Sequence, residues 1–206
     1  TIDLGDGSAA QVSAGSAAAP RTSAGSGSEL ARSYARSYQT LQAEFAAQMD
    51  RSGMVRLFGQ TQLSTADGLS GARRALDAAT SAVRQYHLGE GSIEKAFQDS
   101  ARALERNGAT PADLRDWMTH ASLKESREAA AEGTRLLGQL DAVFALLQAQ
   151  SGKYRIEGST VRFEDSNAAA RYAELQGWIT RRLEHWSGQP ASSVPVTVQP
   201  ILEGIG

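Results

Sequence analysis

Three histidines, His87, His120 and His185, come first, because imidazole is the commonest metal ligand and a general base near neutral pH. None is followed four residues later by a second ligand, as in the H-E-x-x-H arrangement that sets two imidazoles on one helix face. No metal site is therefore expected. The chain has no cysteine, which excludes disulfides, thiolate zinc sites and a cysteine nucleophile. No glycine-rich phosphate loop or dinucleotide fingerprint occurs, and "GLSGA" lacks the spacing of a nucleophile elbow. Carboxylates are plentiful but scattered over polar helix faces, and spacing alone does not decide whether two of them converge for acid–base work. No cofactor is expected. What remains is a pair of neighbouring arginines, Arg73 and Arg74, in "SGARRAL" beside Gly71. A guanidinium at such a place can neutralise charge on a transferring phosphate.

In that short stretch the chain is similar to the arginine-finger motif of bacterial GTPase-activating domains, which are helical bundles delivered by type III secretion. The resemblance implies that Arg74 is the finger. The second, tryptophan- and glycine-rich loop of that family has no counterpart, since "NGAT" stands in its place. The plainer reading of Arg73 and Arg74 is a solvated helix face. A protein without a catalytic centre is expected, with the Arg74 finger as the alternative.

A net charge of −2 over 206 residues argues against a nucleic-acid binder, which needs a basic surface to displace counterions. It argues equally against a polybasic membrane-surface protein. No apolar run reaches the ~18 residues of a membrane span, and no apolar signal-peptide core is visible.

Residues 1–28 are dominated by Ala, Ser and Gly, with Asp3, Asp6 and Arg21 as their charges. Without large side chains, burial does not offset about 1–2 kcal/mol of backbone entropy per ordered residue. A disordered leader is expected there. Its Ser/Ala-rich, lysine-free composition resembles the export signals of type III secretion substrates; a passive tail or a linker are the other readings.

Helical spacing predicts the elements that carry these residues. Leu30, Tyr34, Tyr38, Leu41, Phe45 and Met49 give a first helix over 29–49. Two glycines then bracket Met54, Val55, Leu57 and Phe58, either a plug on the core or an anchor for a partner. Leu69, Ala72, Leu76, Ala79, Val83 and Tyr86 form the seam of a second helix. After "LGEGS", Ser92 opens a third over Ile93, Phe97 and Leu104, stopped at Asn107-Gly108. Thr110-Pro111 starts a short helix with Leu114, Trp117 and Met118. Ser122 and Glu125 form a capping box for the longest helix, to about Gln150, with Gly133 and Gly138 marking a kink or a close crossing. "KYRIEGSTVRFE" alternates as a β-hairpin that pairs Tyr154 with Phe163 and Ile156 with Val161, and sets Arg155 opposite Arg162. A last helix spans 166–186. Beyond it, the prolines of 189–206 exclude helix or central strand and predict an extended tail that lies on the surface or docks on a partner.

The fold expected is all-α, a bundle of five to six helices with one small β-hairpin before the last helix. It comprises a leader at 1–28, a helical domain at 29–188 and a tail at 189–206. The function expected is that of a secreted bacterial protein, a type III secretion substrate that binds a host or secretion-apparatus protein. Its contact residues would be Met54, Val55, Leu57, Phe58, Arg155, Arg162, Val196, Val198, Ile201 and Leu202. A GTPase-activating effector acting through Arg74 is the rival, and a cytoplasmic assembly subunit the third reading.

Overall fold

A computed structural model describes residues 23–54, 63–108, 124–158 and 160–205. Five helices and one hairpin follow in order: α1 (Ser23–Ser52), α2 (Ala66–Arg106), α3 (Lys124–Ala149), β1 (Tyr154–Glu157), β2 (Thr160–Phe163), α4 (Ser166–Ser187) and α5 (Gln199–Ile205). A 3-10 turn at Ala191–Ser193 precedes α5. The all-α bundle with one hairpin ahead of its last long helix is what the sequence pattern predicts. Val55, Leu57 and Phe58, and the predicted helix at Thr110 with Leu114, Trp117, Met118 and His120, lie outside the described residues.

The core gathers the predicted stripes. Phe45 and Met49 of α1, the α2 seam from Leu69 to Tyr86, Leu136 to Leu147 of α3, and Leu175 and Ile179 of α4 form one apolar cluster. Helix ends follow the local chemistry. The Thr65 hydroxyl caps α2 by accepting from the Gly68 N–H at 3.0 Å, and Asp165 caps α4 by accepting from Asn167 at 2.8 Å. Gly108 and Gly152, with φ of 96° and 79°, adopt the left-handed backbone that ends α2 and leads the chain out after α3.

The hairpin keeps its predicted register, Tyr154 opposite Phe163, Arg155 opposite Arg162 and Ile156 opposite Val161. Phe163 stacks on Tyr172 of α4 with ring centroids 5.3 Å apart. That contact supplies the apolar support an isolated hairpin lacks in water.

Three expectations change. First, α1 begins at Ser23 rather than Glu29, so the helical body reaches into the predicted leader. Second, "LGEGS" does not divide two helices; α2 runs 41 residues through it. Gly89 lies against Leu41 of α1 so tightly that a Cβ there would sit 2.5 Å from the Leu41 Cδ1. That packing offsets the roughly 1 kcal/mol each glycine costs in a helix. Third, the tail is not extended. Pro190, Pro195 and Pro200 each open a turn instead of breaking one, because a proline in the first turn of a helix forfeits no helical hydrogen bond. The Pro190 carbonyl accepts from Ser193 at 2.8 Å and the Pro195 carbonyl from Val198 at 2.9 Å. Pro200 falls in the first turn of α5.

The two α3 glycines separate cleanly. Gly138 is exposed with open space where a Cβ would stand, whereas a Cβ on Gly133 would come within 2.5 Å of the Thr197 Oγ1 and 3.2 Å of its carbonyl oxygen. Thermal unfolding should therefore show Gly138→Ala stabilised by about 1 kcal/mol. Gly133→Ala should instead be destabilised by about 1–3 kcal/mol from overpacking.

Candidate functional site

Helices α1 and α2 run antiparallel along a shared seam. Phe45 meets Tyr86 and Tyr34 meets Phe97, each pair with ring centroids 4.9 Å apart, so positions descend on α1 as they ascend on α2. Midway along the seam sits Glu90, 8% exposed. The Tyr38 hydroxyl donates to its Oε1 at 2.5 Å, and His87 Nδ1 lies 3.3 Å from its Oε2. Two polar atoms nearby, the Tyr34 hydroxyl and His87 Nε2, have no hydrogen-bond partner among the described residues. Burial first, and then the charges of Glu94 and Glu90, push the Tyr34 hydroxyl up to about 12. The Tyr86 hydroxyl is also raised, chiefly by burial and next by Glu90, while a hydrogen bond with Gln42 opposes the shift.

A second buried carboxyl group joins α3 to α4. Glu132 is 5% exposed, with Arg182 Nε 3.2 Å from its Oε1 and Arg135 Nη1 3.6 Å from its Oε2. The Arg182 contact pairs charges without hydrogen-bond alignment, and Oε1 has no hydrogen bond among the described residues. The same guanidinium lies 5.6 Å from the Trp178 ring centroid, within cation–π range.

The sequence-predicted residues fall into distinct places. Arg73 is bound within the fold, donating to Gln148 Oε1 at 2.8 Å and to Asp141 Oδ1 at 3.4 Å, which ties α2 to α3. Arg74, its neighbour, is exposed. Arg155 and Arg162 face each other on the solvent side of the hairpin. Glu157 engages Arg162 at 2.5 Å, while Arg155 has no ion pair among the described residues. Met54 is 2% exposed, Val198 and Ile201 are fully buried, and all three belong to the chain's own core. Their assignment as partner contacts is corrected accordingly, because no side chain so enclosed can meet another molecule while the fold is intact. Val196 and Leu202 are half-buried against that core. His87 lies within α2, and His185 is in the last turn of α4.

Glu90 and Glu132 escape a search for motifs, yet the apolar phase marks them. Glu90 falls between Tyr86 and Phe97 in the seam of α2, and Glu132 stands four residues before Leu136 in α3. A carboxyl group at an inward position is the signal of a buried polar contact. No protein-family model, curated protein or solved structure matches this chain.

The two α1 tyrosines of the seam should behave oppositely. Tyr38→Phe removes a donor from buried Glu90 and should cost about 1–3 kcal/mol in urea unfolding at neutral pH. Tyr34→Phe removes a hydroxyl that already lacks a partner and should be neutral or stabilising. A hydroxyl whose folded pKa is raised stabilises the fold fully below its unfolded value near 10, and that contribution is lost as pH climbs through about 12. The wild type should therefore lose stability across that alkaline window, and Tyr34→Phe should lose less.

Proposed function

We propose that the chain is a secreted bacterial protein, a type III secretion substrate that works by binding another protein rather than by catalysis. The observation that carries the binding part is the solvent face of the hairpin. Arg155 and Arg162 stand directly opposite each other and exposed. Facing like charges weaken a strand pair, and Glu157 already pairs with Arg162. That leaves the Arg155 guanidinium presented on β1 of a hairpin whose other strand, β2, packs on α4 through Phe163 and Tyr172. Such a face suits an acidic segment of a host or secretion-apparatus protein, which would satisfy both arginines through charge-assisted hydrogen bonds. The export part rests on the Ser/Ala-rich, lysine-free composition of residues 1–28.

A second reading has its own support. Arg73 is held by Asp141 and Gln148 while Arg74 is exposed one position on, and Gly71 leaves open space beside the helix start. An accessible arginine near a helix start is what a GTPase-activating effector would present to a transferring phosphate. In a cytoplasmic assembly subunit, the third reading, the same surfaces would contact neighbouring subunits.

Three measurements separate these readings. A reporter fused behind residues 1–28 should leave a secretion-competent strain. The double reversal Arg155→Glu/Arg162→Glu should abolish co-precipitation of the proteins retained by the wild type, with circular dichroism unchanged; retention inside the cell or undiminished capture contradicts the proposal. If the arginine-finger reading holds instead, phosphate release from a panel of small GTPases should accelerate with the wild type and fall by a factor of about 10³ or more with Arg74→Ala.

A further inference from the structure

Beside the last turns of α1, the helices α1 and α2 leave an open groove of about 280 Å³. It is lined by Gln48 and Arg51 of α1 and by Ala78, Ser81, Ala82 and Gln85 of α2. Ser52 completes the lining, but its hydroxyl is already engaged, donating to the Met49 carbonyl and accepting from the Met54 N–H. Arg51 is the charged side chain of the lining; it is exposed and makes no ion pair among the described residues. The side chains of Gln48, Ser81 and Gln85 make no hydrogen bond among the described residues either. A side-chain amide offers a donor and an acceptor that match a peptide group, and a guanidinium pairs with a carboxylate. The two alanines let a main chain approach closely. The set suits an extended peptide with one carboxylate, whereas a single guanidinium would leave a polyanion largely unpaired.

A second feature sets a spacing. Leu88 is 67% exposed, the one large apolar side chain so exposed among the described residues. It stands seven positions after Ser81, so the two share a face of α2. The register of the seam, Phe45 at Tyr86 and Tyr34 at Phe97, sets Arg51 level with Thr80. Leu88 is eight positions beyond Thr80, about 12 Å along the axis at 1.5 Å per residue. In an extended peptide, side chains four positions apart are separated by about 13 Å and point the same way.

We propose that this groove binds an extended segment of a partner protein that carries a carboxylate and a large apolar side chain four positions apart. The carboxylate pairs with Arg51, the main chain crosses Gln48 and Gln85, and the apolar side chain covers Leu88. None of the lining comes from the hairpin, so this groove and the arginine face of β1 and β2 stand or fall separately.

Fluorescence anisotropy with the full-length protein tests this. The probe is a labelled, end-blocked peptide of serine and glycine with a central glutamate and a leucine four positions to either side, which serves both chain directions. Saturable binding is expected, at least tenfold weaker when glutamine replaces the glutamate or serine replaces the leucines. Arg51→Gln, Leu88→Ser and the groove-filling Ser81→Trp should each weaken it at least tenfold. All three positions are exposed, and circular dichroism of the variants should match the wild type. Arg155→Glu/Arg162→Glu should leave the affinity unchanged. No saturation by about 1 mM peptide overturns the proposal, as does binding that survives any of the three groove variants or is lost with the hairpin reversal.

Discussion

The seam between α1 and α2 is the constraint on which the other elements depend. A helix of 41 residues with glycines at 89 and 91 would fray or break in isolation, since propagation alone gives little margin for two such residues. Leu41 closing over Gly89 and Tyr38 meeting Glu90 convert that weak point into a close contact between the two helices. With α2 continuous, its first half can present Leu69 to Tyr86 as a rigid wall. The stripe of α3 and the inner residues of α4 join the same cluster.

Polar groups in this interior act as alignment devices. Glu90 and Glu132 sit where an apolar residue would bury more area, and each draws donors or cations from a neighbouring helix. A carboxyl group removed from water is costly unless its partners are in place. A slip of one turn along either seam would strand it. The Arg73 bridge to Asp141 and Gln148 adds a third fixed point, between α2 and α3. These contacts specify one arrangement among several that the alanine-rich, loosely contoured helix faces would otherwise tolerate.

Much of the fold was legible because its signals are periodic. The stripes of α2, α3 and α4 and the alternation of the hairpin were readable residue by residue, down to the pairing of Arg155 with Arg162. Propensity misled where tertiary contact overrides it. "LGEGS" looked like a break because nothing local announces that Leu41 and Tyr38 wait across the seam. The prolines of 190–200 looked like an end to regular structure because each was counted against a helix interior, whereas each stands at the head of a turn. The same error moved Val198 and Ile201 from the core to an imagined contact surface. For the candidate site, exposure of Arg74 and of the hairpin arginines followed from helix phase and strand alternation. The engagement of Arg73 did not, because its partners lie far along the chain.

The Tyr154 hydroxyl donates to the backbone carbonyl of Leu63, 91 residues earlier in the chain, at 2.5 Å. Closing so long a loop carries an entropy cost that neighbouring turns do not meet, whereas the turns within α2 need only near neighbours. This clasp is therefore a non-local contact, of the kind that raises contact order rather than forming within one helix. A tug on the hairpin from outside would reach the residues just ahead of α2 through that phenol, so a ligand gripping the strands also holds the start of the 41-residue helix.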